Sequence, residues 1–110
     1  MTTARFFAAG NLISGFRVEG HSGYAPEGED IVCAAVSAIA QAAVLGLSEV
    51  LGLSVRSETD EKRGMLTAQL INPTRESQIL FETMKRAMQS IAKDYPDYVK
   101  VICENGGIRI

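Results

Sequence analysis

The residues with the most chemical capacity in this chain of 110 residues fall in one stretch, Gly20 to Leu51. It opens Gly-His-Ser-Gly-Tyr-Ala-Pro-Glu-Gly-Glu-Asp and continues Ile31-Val32-Cys33 into a run of small apolar residues. His21, the only histidine, stands at the start of this glycine-rich loop, and Cys33 stands in the first turn of the helix it feeds. A cysteine attacks as its thiolate, and a free thiol of pKa ~8.5 is mostly protonated at neutral pH. Unpaired N–H groups and the positive end of the helix dipole favour an anion in the first helical turn. An imidazolium beside it favours the thiolate further and can protonate a leaving amine. Asp30 opposes this with its own negative charge, although a carboxylate engaged with backbone N–H groups is partly neutralised.

The spacing permits the pair without enforcing it. Twelve residue steps separate His21 from Cys33, enough for ~40 Å when extended at ~3.3 Å per residue, whereas a hydrogen bond needs about 3 Å. Gly23, Pro26 and Gly28 make a loop able to fold back and to open and close over a substrate. Backbone N–H groups around Cys33 are candidates to hold a developing oxyanion. Ser37 lies one helical turn on, on the same face; it either orients a partner or returns its hydroxyl to a backbone carbonyl. Each residue also has a purely structural reading. Free cysteine is often buried, Asp30 is a helix cap, Tyr24 packs, and His21 is a loop residue.

The elements that must position these groups follow from periodicity. Thr3 to Ala8 is a short aromatic strand, Ala9-Gly10-Asn11 a turn, and Leu12 to Glu19 alternates with period two, giving a β-hairpin that ends at Gly20. Asp30 is the expected N-cap of a helix from Ile31 to Leu51, with Gly52 as its C-cap. Gly46 inside it predicts a close approach by another backbone. Val55–Thr59 and Met65–Ile71 flank the charged turn 60–64 as a second hairpin. Asn72 and Pro73 read as N-cap and first residue of a second helix. Its core stripe is Leu80, Met84, Ala87, Met88, Ile91 and Tyr95, with Lys85, Arg86, Gln89 and Lys93 on the wet side and Pro96 closing it. Tyr98 to Cys103 is a last strand with Val99, Val101 and Cys103 on one face, so Cys103 is expected buried and inert. Asn105-Gly106-Gly107 reads as a turn into a short edge at Ile108–Ile110. The order ββαββαβ predicts an α+β fold with two helices packed on a mainly antiparallel sheet.

Length and composition bound the rest. The length gives a single domain, residues 1–110, with enough apolar content for one core. The net charge of −2 argues against nucleic-acid binding through a basic face. The N-terminus shows no signal-peptide pattern, and two cysteines without CxxC spacing suit reduced thiols in the cytoplasm. Ile31 to Ser48 carries no formal charge and approaches the ~20 apolar residues that span a bilayer. Ser37, Gln41, Gly46, the flanking acids and the lack of a basic flank favour a core or intersubunit helix instead. A zinc site from His21, Cys33 and Cys103 would require three distant segments to converge, so no metal or cofactor is expected.

The run Gly20-His21-Ser22-Gly23-Tyr24-Ala25, then Gly28-Glu29-Asp30-Ile31-Val32-Cys33-Ala34-Ala35-Val36-Ser37, resembles the defining segment of the ribosomal-processing cysteine protease family, Prp. The resemblance extends over nearly the whole chain and implies a cytoplasmic endopeptidase. Such an enzyme removes a short N-terminal extension from the large-subunit ribosomal protein numbered twenty-seven, after a Phe-Phe pair. It implies His21 as base and Cys33 as nucleophile, with Gly20, Asp30 and Ser37 as supporting positions, Gly20 giving the loop freedom. Ser22, Gly23, Tyr24 and Gly28 become the substrate loop, and a homodimer is implied. Arg5-Phe6-Phe7-Ala8-Ala9 is similar to such a junction but is expected to be an aromatic edge strand. Two readings stand beside the protease: a non-catalytic ribosome-associated binding module, and a thiol redox sensor, which a buried Cys103 would leave without a resolving partner.

Overall fold

A computed structural model describes residues 1–26 and 29–105. The alternation in the first third of the chain gives β1 (Thr2–Ala9) and β2 (Leu12–Glu19), and the uncharged stretch gives α1 (Ile31–Leu45). The second hairpin is β3 (Val55–Asp60) and β4 (Met65–Leu70), followed by α2 (Arg75–Asp94) and β5 (Val99–Asn105). This is the expected order ββαββαβ. The five strands form one sheet in the order β3-β4-β2-β1-β5, antiparallel throughout except for the parallel pair β1 and β5.

Alternation decides which side chains meet the helices. Ala4, Phe6, Phe16, Val18 and Ala68 point into the core, where α1 contributes Val32, Val36, Ala40 and Ala43 at helical spacing. Phe16 is the centre of this layer. Its ring lies 6.3 Å from Phe6 and 6.4 Å, edge-on, from Phe81 of α2, which joins both strands of the first hairpin to the second helix. Phe81 is buried although the stripe expected for α2 does not include it; Met84 and Met88 of that stripe are buried beside it.

Several expectations need correction. The segment containing Phe6 and Phe7 is not an edge: β5 pairs with β1 on its outer side, and both phenylalanines are buried. The N-cap of α2 is Thr74, not Asn72, and Pro73 precedes the helix. Thr74 Oγ1 accepts the Ser77 N–H at 3.0 Å while Ser77 Oγ accepts the Thr74 N–H at 2.8 Å. That reciprocal pair satisfies two donors at once, which a lone Asn72 side chain would not. Lys85 is half-buried rather than wet, its ammonium 3.2 Å from Glu82. Gly46 meets no backbone; a β-carbon there would stand 2.9 Å from Leu80 Cδ1 of α2. At that contact α1 widens into a π turn, Gly46–Val50, closed by the Leu51 N–H donating to Gly46 O at 2.9 Å. Gly52 then turns the chain at φ +65°.

Cys103 is exposed, not buried. Its register opposite Phe6 puts it on the expected face, but among the described residues β5 is an edge strand of the sheet, and burial falls along it from Val99 to Cys103. The expected turn at Asn105–Gly107 and edge at Ile108–Ile110 run beyond the described residues, as does Gly28. Ile31–Val50 is long and apolar enough to cross a membrane, yet its buried residues pack against the sheet and α2; 28% of that window is buried, so much of its outer face is open.

Candidate active site

Between the start of α1, the loop after β2 and the β3–β4 turn lies a cavity of about 720 Å³. His21 and Cys33 both line it. Cys33 is the third residue of α1, half-buried, and its N–H donates to Asp30 Oδ1 at 2.9 Å. Asp30 is therefore the N-cap that its position predicts. The same bond takes up the Cys33 N–H, so that group is not free to hold an oxyanion.

The loop is held at three points. At its entry Gly20 has φ +93°, and a β-carbon there would stand 2.4 Å from Met1 O. The Gly20 N–H donates to Arg63 O at 3.2 Å, and its carbonyl accepts from Thr2 Oγ1 at 3.4 Å. Glycine here fixes a tight exit from β2 instead of loosening the loop. In the middle Ser22 is buried; its hydroxyl donates to Asp30 Oδ2 and accepts the Tyr24 N–H at 3.3 Å. Beyond it the Tyr24 ring stands edge-on to Tyr95 and Tyr98, with centroids 5.5 and 5.3 Å away. Gly23 lines the cavity at φ +76° with open space about it.

Asp30 joins loop to helix. Burial alone would raise its pKa, but the Ser22 hydroxyl and the N–H groups of Cys33, Ala25 and Tyr24 outweigh this and hold the carboxyl below its ordinary 3.8. A group with a depressed folded-state pKa contributes stability that is fully present above its unfolded value and is lost as pH falls through the folded one. The stability difference between the natural protein and Asp30→Asn is therefore expected to be constant above the ordinary value and to close below 3.8. Urea midpoints across that range read it. A gap that is unchanged in acid would show that Asp30 holds no proton-sensitive clamp.

The predicted residues are not all brought together. Ser37 lines the cavity, but its hydroxyl accepts from Gln41 Nε2 at 2.8 Å. Tyr24 packs away from the cavity lining. No hydrogen bond joins His21 to Cys33 among the described residues; catalytic bonds of this kind often tighten only when substrate is present. The β3–β4 turn supplies groups not expected at the site, Asp60, Glu61 and Gly64 among them. A charged turn at residues 60–64 was the one available sign. Cys103 does not line the cavity. By register it lies at the level of Phe6, four residues along from Thr2 at the cavity floor, or ~13 Å at ~3.3 Å per residue. Burial thus no longer argues against a disulfide with Cys33, but Cys103 stands outside the cavity that Cys33 lines. Among the described residues no three His, Cys, Asp or Glu side chains converge as metal ligands would.

Comparison with known proteins finds similarity over most of the chain. The family model of cysteine protease Prp matches residues 1–100. A relative from Bacillus subtilis (strain 168), the ribosomal processing cysteine protease Prp, is 29% identical over 94 residues, covering 81% of this chain and 84% of the relative. The crystal structure of SMU.848 from Streptococcus mutans has a TM-score of 0.85 at 27% identity, with 96% of each chain covered. The essential ribosomal processing protease Prp from S. aureus, in complex with a covalently linked product peptide, has a TM-score of 0.89 at 21% identity. That match covers 94% of this chain and 100% of the other, and shows the shared fold.

Proposed function

This chain belongs to the Prp family of cysteine proteases, and from that premise we propose that it removes an N-terminal extension from a ribosomal protein precursor. The substrate in this reading is the large-subunit ribosomal protein numbered twenty-seven, cut after a Phe-Phe pair. Cys33 is the nucleophile and His21 the base. The observation that carries the reading is that the single histidine and the first-turn cysteine line one cavity at the start of α1.

The chemistry is acyl transfer. His21 takes the thiol proton, and the sulfur anion attacks the scissile carbonyl carbon, forming a C–S bond. Collapse of the tetrahedral intermediate breaks the C–N bond, and the imidazolium gives its proton to the leaving amine. Water then attacks the thioester, releasing the acyl fragment as its acid and returning the thiol. The B. subtilis relative, a ribosomal processing cysteine protease, supports the substrate class. The S. aureus structure with a covalently linked product peptide supports a peptide held through a covalent bond. The cavity is large enough to admit side chains of such a peptide.

The reading also includes a homodimer in the cytoplasm, without direct nucleic-acid contact. Ile31, Leu45 and Val50 are exposed on the apolar run Ile31–Val50, and a second copy would cover that surface. Sedimentation at the mass of a single 11.9 kDa chain would count against the dimer. The function itself is tested with a peptide spanning the extension junction, separated and weighed by mass spectrometry after incubation. Two fragments divided after Phe-Phe are expected. An intact peptide that nonetheless binds would instead identify a non-catalytic recognition module.

A further inference from the structure

The β3–β4 turn reaches the base as well as the cavity. Gly64 closes that turn at φ +59°, and a β-carbon placed on it would stand 3.0 Å from His21 Cε1, 3.3 Å from Nε2 and 3.1 Å from Gly20 O. The imidazole therefore rests against the bare backbone of Gly64. His21 is exposed, no hydrogen bond to its ring stands among the described residues, and the Gly64 backbone is a wall on one side of it. The bracket itself is well braced. Asp60 Oδ1 accepts the N–H groups of Lys62 and Arg63 at 3.1 and 3.3 Å, and the Gly64 N–H donates to Glu61 O at 3.2 Å. Arg63 O also receives the Gly20 N–H at 3.2 Å, tying the turn to the residue before the histidine.

We infer that Gly64 is a positioning residue for His21: its lack of a side chain lets the turn and the imidazole meet at the distance that aims the ring into the cavity. The inference rests on His21 being the base, as proposed above. A methyl group at Gly64 meets the ring, which is exposed and free to yield, and the backbone of Gly20, which is not. The base is then displaced while the hairpin keeps its register. Reacting groups must be held closely, and a displacement of about 1 Å costs on the order of 10²-fold in rate.

The test compares Gly64→Ala with Gly10→Ala in the full chain. Gly10 closes the other hairpin at φ +67°, with nothing within 4 Å of an added β-carbon, so it carries the same backbone strain without the contact. Both variants are expected to lower the thermal midpoint, Gly64→Ala the more because its β-carbon also meets Gly20 O. Gly64→Ala is expected to lower kcat about 10- to 100-fold with a smaller change in KM, and Gly10→Ala to leave kcat near that of the natural protein, since Gly10 is not part of the cavity lining. His21 is the only histidine, so the NMR resonance of its Cε1–H can be followed without assignment. It should move in Gly64→Ala and not in Gly10→Ala. Gly64→Asn, which accepts a positive φ while carrying a β-carbon, should repeat the result if the alanine variant folds poorly. A ring resonance or a kcat for both Gly64 variants that matches Gly10→Ala overturns the inference. Full cleavage by His21→Ala would instead remove the reading beneath it.

Discussion

Peptide cleavage by Cys33→Ala is expected to fall by about 10⁴-fold or more, the usual consequence of losing a covalent nucleophile. Among the described residues, no other thiol lines the cavity. Ser37 lies one turn further along α1, but its hydroxyl is engaged by Gln41, and an unactivated alcohol at neutral pH is a far weaker nucleophile than a thiolate. The fold should be indifferent to the change. Cys33 is half-buried, the bond that caps the helix uses its backbone N–H, and alanine is the best helix former. Progress curves with the junction peptide, read beside a thermal melt, separate lost chemistry from lost structure. Cys103→Ala is expected to cleave normally. The reverse pattern would move the reaction to β5, where the second thiol is exposed.

His21→Ala is expected to lower cleavage by about 10²- to 10⁴-fold, the range for removing a positioned general base, again with little change in stability because the side chain is exposed. The loss should depend on pH in a way a folding defect would not. Without an imidazole to take the thiol proton, Cys33 depends on solvent base to become the thiolate, so residual cleavage should climb with pH more steeply than cleavage by the natural protein. Rates of thiol alkylation against pH give the same comparison without substrate. Parallel profiles for the two proteins would mean that His21 does not assist the sulfur.

Much of this arrangement could be read before any coordinates because its parts are local. Asp30 sits where a cap must sit, immediately before an apolar helical run, and the cap fixes Cys33 as the third residue of α1. The two hairpins were legible because their strands alternate and their turns carry charged residues or glycine. What stayed hidden joins segments far apart in sequence. Tyr24 packs on Tyr95 and Tyr98, and Gly64 touches His21; neither pairing leaves a periodic trace. Competition between neighbouring signals caused the error at α2. Asn72-Pro73 is a sound helix start taken alone, but Thr74 with Ser77 satisfies two backbone groups reciprocally. Alternation gave Cys103 its correct face, opposite Phe6. It could not show that β5 would be an edge strand whose burial falls toward Cys103.

Cleavage by this route passes through a thioester between Cys33 and the N-terminal fragment of the substrate. Rapid acid quench of the reaction, followed by intact-mass and peptide mapping, measures that species directly. A mass increase equal to the acyl fragment is expected, carried by the peptide containing Cys33. An adduct on Cys103, or on any residue other than Cys33, while the natural protein makes product would refute the role of Cys33 as nucleophile.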